Sequence, residues 1–133
     1  MTTFFEMDIQ PRFSETDGLG HINNTVIPVW FEAAREPIFE IFNPELELHR
    51  WNLILAGFNV SFAAPTFYGK AVTVKTWISR VGNSSFEVSQ SCWQQGKLTA
   101  QATTSMVHFD YGEECSQIIP TDIKERLAQL TGK

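Results

Sequence analysis

One short segment of this 133-residue chain collects most of the side chains that could do chemistry. It runs from Thr16 to Thr25 and reads Thr-Asp-Gly-Leu-Gly-His-Ile-Asn-Asn-Thr. An acid, Asp17, and a histidine, His21, precede three residues of types that commonly cap helices. A helix N-terminus has unpaired backbone N–H groups, and its dipole favours negative charge. A carboxylate beside such a site predicts the cleavage of an ester-like bond.

Asp17 is the candidate base or nucleophile, and the N–H groups around Asn24 and Thr25 are the candidate donors to a carbonyl oxygen. Taken alone, an aspartate here is more typical of a turn or a helix cap. The neighbouring donors are what favour a catalytic role. The two glycines of the segment predict a tight turn with positive φ, where a ligand can approach the backbone of Gly20 closely. They are not a dinucleotide-binding motif, because Asn23 stands at the third glycine position and no parallel βαβ unit follows.

The other residues that could bind metals do not form a recognisable pattern. His21 could act as a general acid or base, although a loop histidine is more often structural. The remaining histidines, His49 and His108, have no ligand spacing to it. Cys92 and Cys115 are isolated, which predicts neither a disulfide framework nor a zinc site. We therefore expect no metal and no redox cofactor.

Length and charge limit the class of protein. Residues 1–133 are long enough for a single domain with one core. The net charge of −5 argues against general nucleic-acid binding. The first residues lack the basic and apolar regions of a signal peptide, and no apolar run approaches the roughly 20 residues that cross a membrane. We expect a soluble, cytoplasmic protein without a membrane partner.

Basic residues are concentrated in the second part of the chain. The first fifty residues are acidic, whereas residues 51 to 109 are basic. A positive surface there could hold a polyanionic cofactor tail, although solvated strand faces are the more usual interpretation. The bases are Lys70, Lys75, Arg80 and Lys97, opposed only by Glu87.

The elements around the Asp17 segment follow from periodicity. Residues 4 to 14 alternate between apolar and polar types, which predicts a half-buried strand. Residues 25 to 42 are nearly all apolar and predict a helix, with Thr25 as its N-cap. Pro37 removes the N–H that would bond the carbonyl of Ala33, so we expect a kink or an early end.

The rest of the chain predicts a sheet. Residues 52 to 109 alternate as four strands, and the short turns between them predict an antiparallel meander. Pro120 then begins a short amphipathic helix. One long helix against one antiparallel sheet is an α+β arrangement. Such a sheet would cover only part of the helix, so a second subunit could cover the rest.

At this point the chain resembles a known family. Thr-Asp-x-x-Gly-His-Ile-Asn-Asn, followed by Trp-Phe-Glu-Ala-Ala-Arg over residues 30 to 35, is similar to the hotdog-fold acyl-CoA thioesterases, in particular the 4-hydroxybenzoyl-CoA thioesterase type. The order of strands and helices also matches over nearly the whole chain. The resemblance implies a five-stranded antiparallel sheet wrapped around a long central helix, with a short C-terminal helix. It implies hydrolysis of a thioester to a carboxylic acid and free coenzyme A.

The resemblance also implies roles for particular residues. Asp17 corresponds to the aspartate that acts as nucleophile or general base, and the N–H near Asn24 polarises the carbonyl oxygen. A second branch of the fold uses a helix glutamate, and Glu32 lies at about that position, so it is the second choice. The phosphates of coenzyme A would lie near basic residues. The candidates for substrate binding are Gly20, Asn23, Thr25, Phe31, Phe58, Arg80, Ser84, Ser85 and Lys97; the two phenylalanines are equally typical of a core.

The sequence also allows predictions about assembly and about two alternative functions. The resemblance implies a homodimer or homotetramer whose sheets join edge to edge and whose active sites are shared between subunits. Asp17 with His21 could also serve a hotdog hydratase or dehydratase, but the proline-containing hydratase motif is absent. A non-catalytic acyl-CoA-binding protein is the other alternative, and the intact Asp17 motif argues against it.

Overall fold

The computed structural model describes residues 2–133 and shows an α+β arrangement, as the sequence predicts. Three helices pack against one antiparallel sheet, and two short 3-10 turns lie at residues 13–15 and 48–50. In chain order the elements are β1 Phe5–Ile9, α1 Ile27–Ala34, α2 Glu36–Phe42, β2 Leu53–Phe62, β3 Val72–Val81, β4 Ser85–Gln94, β5 Lys97–Asp110, β6 Cys115–Ser116 and α3 Thr121–Ala128.

The strand order is β1-β3-β4-β5-β2, with the short β6 paired to the end of β5. The β3-β4-β5 meander is confirmed. The expected four-strand meander is wrong at β2, because β2 pairs with β5, where Phe58 is opposite Thr104, and not with β3. The connection over residues 63–71 is long enough to carry the chain from one side of the sheet to the other. The two-residue strand β6 was not predicted.

β1 is shorter than its alternating pattern predicts. It ends at Ile9, and the chain turns through residues 13–15 instead of continuing to residue 14 as a strand. Pro11 lies just beyond the strand and is buried. Since proline cannot donate a ladder hydrogen bond, the pairing with β3 stops before it. β1 is an edge strand, as a nearby proline suggests.

Pro37 divides the predicted long helix into two. α1 ends at Ala34 and α2 begins at Glu36, so the expected early end is confirmed. Pro37 lies in the first turn of α2, where a missing N–H removes no helical hydrogen bond. The predicted N-cap at Thr25 is wrong: the cap position is Val26, because the preceding residues form a turn of their own.

The helices bury their apolar faces on one side of the sheet. Around α1 the core contains Phe31, Val74 and Cys92; around α2 and α3 it contains Phe86 and Leu127. These five side chains are all 0% exposed. No helix in residues 2–133 is long and apolar enough to cross a membrane.

The β2 edge of this apolar face is poorly covered. Phe58 and Phe62 are opposite Thr104 and Ala100 of β5, which are buried beneath the helices, so all four share one face. Yet Phe58 is 41% exposed and Phe62 is 49% exposed. Leu55, at the other end of β2, is 46% exposed. α1 therefore leaves a groove between itself and β2, with apolar side chains on its floor.

Candidate active site

A tight loop between the first 3-10 turn and α1 presents Asp17. The loop is closed by a bridge between Thr16 and Ile22, and the Asp17 N–H donates to the carbonyl of His21 at 2.8 Å. The Asp17 Oδ1 accepts the Leu19 N–H, also at 2.8 Å. The other carboxylate oxygen, Oδ2, lies 3.7 Å from the His21 Nδ1. One oxygen thus fixes the loop, and the other remains for a ligand.

The two glycines of the loop have the conformations that the sequence predicts. Gly18 has φ of 89° and Gly20 has φ of 86°, values that side chains other than glycine rarely adopt. The bond from Leu19 to Asp17 is the Asx turn that was the ordinary alternative for this aspartate. Because that turn uses only one oxygen, the structural and the catalytic roles of Asp17 are compatible.

Glu15 anchors the base of the loop, and sequence reasoning missed it. Its side chain is buried, with Oε2 accepting the Trp30 indole N–H at 3.0 Å and Oε1 accepting the Arg12 N–H at 2.7 Å. Its carbonyl accepts the Asn23 N–H at 2.9 Å. Burial acts to raise the pKa of Glu15, but the hydrogen bonds from Arg12 and Trp30 outweigh it and lower that pKa below its usual value. The ionised carboxylate ties the loop to α1.

The segment after β2 holds the other side of the loop. The Ile22 N–H donates to the carbonyl of Thr66 at 2.7 Å, and the Tyr68 N–H donates to the carbonyl of Gly20 at 2.9 Å. The His21 ring meets the Phe67 ring edge to face, with centroids 5.2 Å apart. His21 is therefore fixed by aromatic packing and by its backbone, which favours a positioning role.

An exposed backbone N–H just before α1 is open. The Asn23 Oδ1 accepts both the N–H and the hydroxyl of Thr25, at 3.0 Å and 2.9 Å, and the Asn23 carbonyl accepts the Val26 N–H. The expectation that the Thr25 N–H is free is therefore wrong. The N–H of Asn24, an exposed residue, donates to no atom of residues 2–133. The Ile27 N–H has no partner in that range either, but Ile27 is buried, so the Asn24 N–H is the exposed donor left for a ligand.

Asp17 and Asn24 line the same cleft. It has a volume of about 450 Å³, and the end of β2 and the residues after it, 62–66, form its opposite wall. His21 and Asn23 also line it, whereas Gly20 and Thr25 do not. A carboxylate and an open N–H in one cleft can attack a carbonyl carbon while binding the carbonyl oxygen.

Glu32 lies elsewhere. It is exposed on α1 and lines a second cleft of about 490 Å³, together with Arg35. Of the two aromatic candidates, Phe31 is fully buried and belongs to the core. The prediction that its side chain lines the substrate cleft is therefore wrong. Phe58 remains accessible, and its ring centroid lies 5.6 Å from the Arg35 guanidinium carbon.

The basic and hydroxyl candidates for phosphate binding do not form one surface. Ser85 is at the start of β4 and Lys97 is opposite its last residue, Gln94. Nine residues of strand at about 3.3 Å each separate the two ends by about 30 Å. Lys97 is at the end near the Asp17 cleft, since the neighbouring Thr99 carbonyl accepts the Ala63 N–H. At the other end are Arg80, Ser84 and Ser85, with the Ser85 hydroxyl 3.5 Å from the Arg80 guanidinium.

The described residues contain no group of three or more His, Cys, Asp or Glu side chains that could hold a metal ion. Cys92 is buried, and this burial raises the pKa of its thiol, while a hydrogen bond from Thr99 acts to lower it. Cys115 is exposed on β6.

Comparison with known proteins adds independent findings. The sequence model of the thioesterase-like superfamily matches residues 11–127. The chain is 40% identical to a protein of Bacillus stearothermophilus described as a predicted thioesterase, with 95% of each chain covered and a TM-score of 0.92. It is 26% identical to a thioesterase of Thermus thermophilus whose crystal structure contains coenzyme A and zinc, with 96% and 95% covered and a TM-score of 0.83. It is also 24% identical over 107 residues, 77% of this chain and 78% of the relative, to a protein of Bacillus subtilis (strain 168) named "Putative acyl-CoA thioesterase YneP".

Proposed function

The chain belongs to the thioesterase-like superfamily, and we propose that it hydrolyses acyl-CoA thioesters to a carboxylic acid and free coenzyme A. It has the hotdog fold of thioesterases and is a thioester hydrolase. Coenzyme A as the carrier is supported by the Thermus thermophilus thioesterase, which was crystallised with it, and by the assignment of YneP. The observation that carries the mechanism is the cleft shared by the Asp17 carboxylate and the open Asn24 N–H.

In the proposed reaction the thioester carbonyl oxygen accepts the Asn24 N–H. This contact strengthens as the oxygen becomes negative, and a donor of this kind contributes about 10² to 10³ in rate. The Asp17 Oδ2 then has two routes. As a nucleophile it bonds to the carbonyl carbon and the C–S bond breaks, so that coenzyme A leaves as a thiolate and water hydrolyses the resulting anhydride. As a general base it takes a proton from water, whose oxygen attacks the same carbon, and the thiolate then takes that proton. Neither route uses a cofactor.

Glu32 is the second candidate for the catalytic acidic residue, and its position determines where the thioester carbonyl would have to lie. It lines the cleft of Arg35 and not that of Asn24. A reaction on Glu32 therefore needs the thioester carbonyl to lie along the side of α1, away from the open N–H. We rank Asp17 first because donor and carboxylate share one cleft.

Basic residues at the cleft end of the sheet would bind the coenzyme A phosphates. Lys97 is there, and the Lys70 ammonium, which donates to the Gln95 side chain at 3.2 Å, is close to it in the structure. Arg80, Ser84 and Ser85 are at the far end, so they would contact coenzyme A only if it were bound in the site of another subunit.

A homodimer or homotetramer is part of the proposal. β2 is an edge strand without a neighbour on its outer side in residues 2–133. Its apolar side chains Leu55, Phe58 and Phe62 are exposed. An open edge with apolar side chains favours pairing with another strand. A second copy paired there would close the groove beside α1 and complete the substrate site.

The test is hydrolysis of a panel of acyl-CoA thioesters, followed by detection of the released thiol. We expect wild type to release coenzyme A from several of them. Asp17→Asn is expected to lower kcat by about 10² to 10⁴, the usual contribution of a positioned acid or base. The asparagine Oδ1 can still accept the Leu19 N–H, so the loop should keep its shape. Glu32→Gln is the matched control, and it should retain most of the activity.

Three results would contradict the proposal in different ways. Full turnover by Asp17→Asn together with loss of turnover in Glu32→Gln would assign the chemistry to Glu32. Tight binding of acyl-CoA without hydrolysis over the whole panel would indicate a binding protein. Hydration of enoyl-CoA without thiol release would indicate a hydratase.

A further inference from the structure

Arg35 is a buried cation that has no ion-pair partner among the described residues. It follows the last residue of α1 and is only 3% exposed. No carboxylate of residues 2–133 forms an ion pair with it. Burial lowers the pKa of the guanidinium, and the nearby charge of Glu32 acts in the opposite direction. Because arginine stays protonated in proteins, the cost of burying this charge has to be offset by a partner.

The hydrogen bonds of Arg35 leave two of its guanidinium nitrogens without a partner in the described part of the chain. Nη1 donates to the Gln90 Oε1 and to the Thr104 Oγ1, at the long distances of 3.3 Å and 3.4 Å. Nε is shielded from solvent and has no hydrogen-bond partner, and no hydrogen bond within residues 2–133 involves Nη2. Because Nε is shielded, Nη2 is the nitrogen that can donate to a ligand, and a hydrogen bond from a guanidinium to a carboxylate is stronger than one between neutral groups.

Arg35 lines a cleft that suits an organic ligand. The volume is about 490 Å³, in the range of small-molecule sites. Glu32 and Glu36 also line it, but both are exposed, so water screens their charges more than it screens that of Arg35. The other lining side chains are mostly apolar and include Val29, Phe39, Trp51, Leu53, Leu55 and Met106.

This Arg35 cleft and the cleft of Asp17 lie along the same groove. Each is bordered by α1 and β2, with Ile27 and Phe62 at the Asp17 end and Val29 and Leu55 at the Arg35 end. The face of β2 between them presents Phe58, over which the Arg35 guanidinium lies. At about 1.5 Å per residue along α1, Asn24 and Arg35 are on the order of 15 Å apart.

We propose that the Arg35 cleft binds a carboxylate at the far end of the acyl group, so that the preferred substrates are CoA thioesters of extended dicarboxylic acids. The inference rests on the proposed acyl-CoA thioesterase function. With the thioester carbonyl at Asn24, the acyl chain runs along the apolar groove over Phe58. Its terminal carboxylate accepts a charged hydrogen bond from Nη2 of Arg35. The substrate thereby supplies the ion-pair partner that the described residues lack.

The experiment compares acyl-CoA pairs of equal chain length that end in either a carboxylate or a methyl group. For chains long enough to reach Arg35, wild type should have a kcat/KM about 10- to 100-fold higher for the carboxylate member, as expected for a charged hydrogen-bonded contact. Arg35→Met should abolish this preference and retain hydrolysis of the methyl member. Arg35→Lys, which keeps the charge but not the planar guanidinium with its Nη2, should reduce the preference. Arg126→Met, on α3 and away from the groove, is the matched control and should keep it.

Folding and binding are measured separately. Arg35→Met removes a buried charge but also the donor to the buried Gln90 Oε1, so its Tm is measured first and its kinetics are compared with wild type below the unfolding transition. A free dicarboxylic acid of the best length should raise the Tm of wild type and of Arg126→Met, but not that of Arg35→Met.

The outcomes separate this inference from the function on which it rests. Equal rates for both members in wild type, or an unchanged preference in Arg35→Met, would overturn the inference and leave the thioesterase proposal intact. An unchanged preference combined with dissociation of an oligomer in Arg35→Met would assign the guanidinium to a subunit contact. Absence of hydrolysis for every thioester would overturn both proposals.

Discussion

At the scale of single residues, the site depends on side chains that hold the backbone in place. Asp17 uses one oxygen for its own loop, and Asn23 uses its side chain to occupy the Thr25 N–H. Glu15 connects that loop to Trp30 of α1. These contacts fix the carboxylate and the open Asn24 N–H relative to each other without a substrate, which is the pre-organisation that electrostatic catalysis requires.

Glu15 gives the fold a pH dependence whose sign follows from its environment. The pKa of Glu15 is lower in the folded state than in the unfolded state, where it is about 4.3. The ionised side chain therefore stabilises the fold fully above the unfolded-state pKa. This stabilisation is lost as the pH falls through the lower, folded-state pKa. We expect Glu15→Gln to lower the free energy of unfolding by roughly 1–2 kcal/mol at neutral pH, because the hydrogen bonds to a charged acceptor are weakened. The difference from wild type should shrink below about pH 4. Urea denaturation at several pH values measures it.

The control for this prediction is Glu6→Gln, an exposed glutamate of β1. It should follow the wild-type curve at every pH. A loss of stability in Glu15→Gln that is the same at neutral and acid pH would mean that the shape of the side chain, and not its charge, is what matters.

At the scale of elements, the entry into α1 is where local structure and chemistry meet. The Asn23 Oδ1 accepts two hydrogen bonds from Thr25, and the Asn24 N–H is exposed between these residues. Asn23→Ala removes the acceptor, and we expect the free energy of unfolding to fall by about 1 kcal/mol, as for the loss of other caps. The kcat should fall with it, because the turn that presents the Asn24 N–H loosens.

Asn23→Asp is the matched control, since it keeps an oxygen in the same place. It should recover most of the stability. The measurements are thermal unfolding and thiol release for both variants. If Asn23→Ala were as stable as wild type, the two bonds from Thr25 would contribute nothing, and the orientation of the Asn24 N–H would have another cause.

The elements also show what the sequence could predict. The break at Pro37, the alternation of β3 to β5 and the start of α3 after Pro120 are local properties, and the structure confirms each. The place of β2 beside β5 is not local. It depends on residues 63–71, whose course is set by partners distant in sequence, such as the Gln94 side chain that accepts the Phe67 N–H at 2.8 Å.

The difference between local and distant contacts also decides which residues of the site the sequence could predict. Asp17 and Asn24 lie within one motif, and the sequence predicts that they act together. Glu15 lies just outside the motif, and Arg35 ends the Trp-Phe-Glu-Ala-Ala-Arg stretch, but neither stands in a pattern that indicates burial. Their importance comes from burial and from partners such as Trp30, 15 residues away, and Gln90, 55 residues away. Only the folded chain brings these partners together.

At the scale of the whole molecule, the sheet has two edge strands, β1 and β2, which differ in length and in the side chains that they expose. β1 has a proline just beyond its end, and its side chains are partly exposed. β2 is longer, has no proline and carries exposed Phe58 and Phe62 next to the groove. A monomer with such an edge would be prone to associate. We therefore expect the Asp17 cleft and the Arg35 cleft, which both border β2, to depend on assembly.

The β2 edge can be tested through the face that does not line the groove. Ile54 and Asn59 are exposed and opposite Val107 and Thr103, on the outer face of the sheet. In a two-fold pairing of β2 with its copy, lysines at both positions would bring like charges together. We expect the Ile54→Lys, Asn59→Lys double variant to shift to monomer in analytical ultracentrifugation and to lose activity in parallel, because the groove loses its cover. The control, Ala128→Lys with Gln129→Lys at the exposed end of α3, adds the same charge and should leave assembly unchanged. An oligomer that persists in the β2 variant would place the subunit contact on another surface.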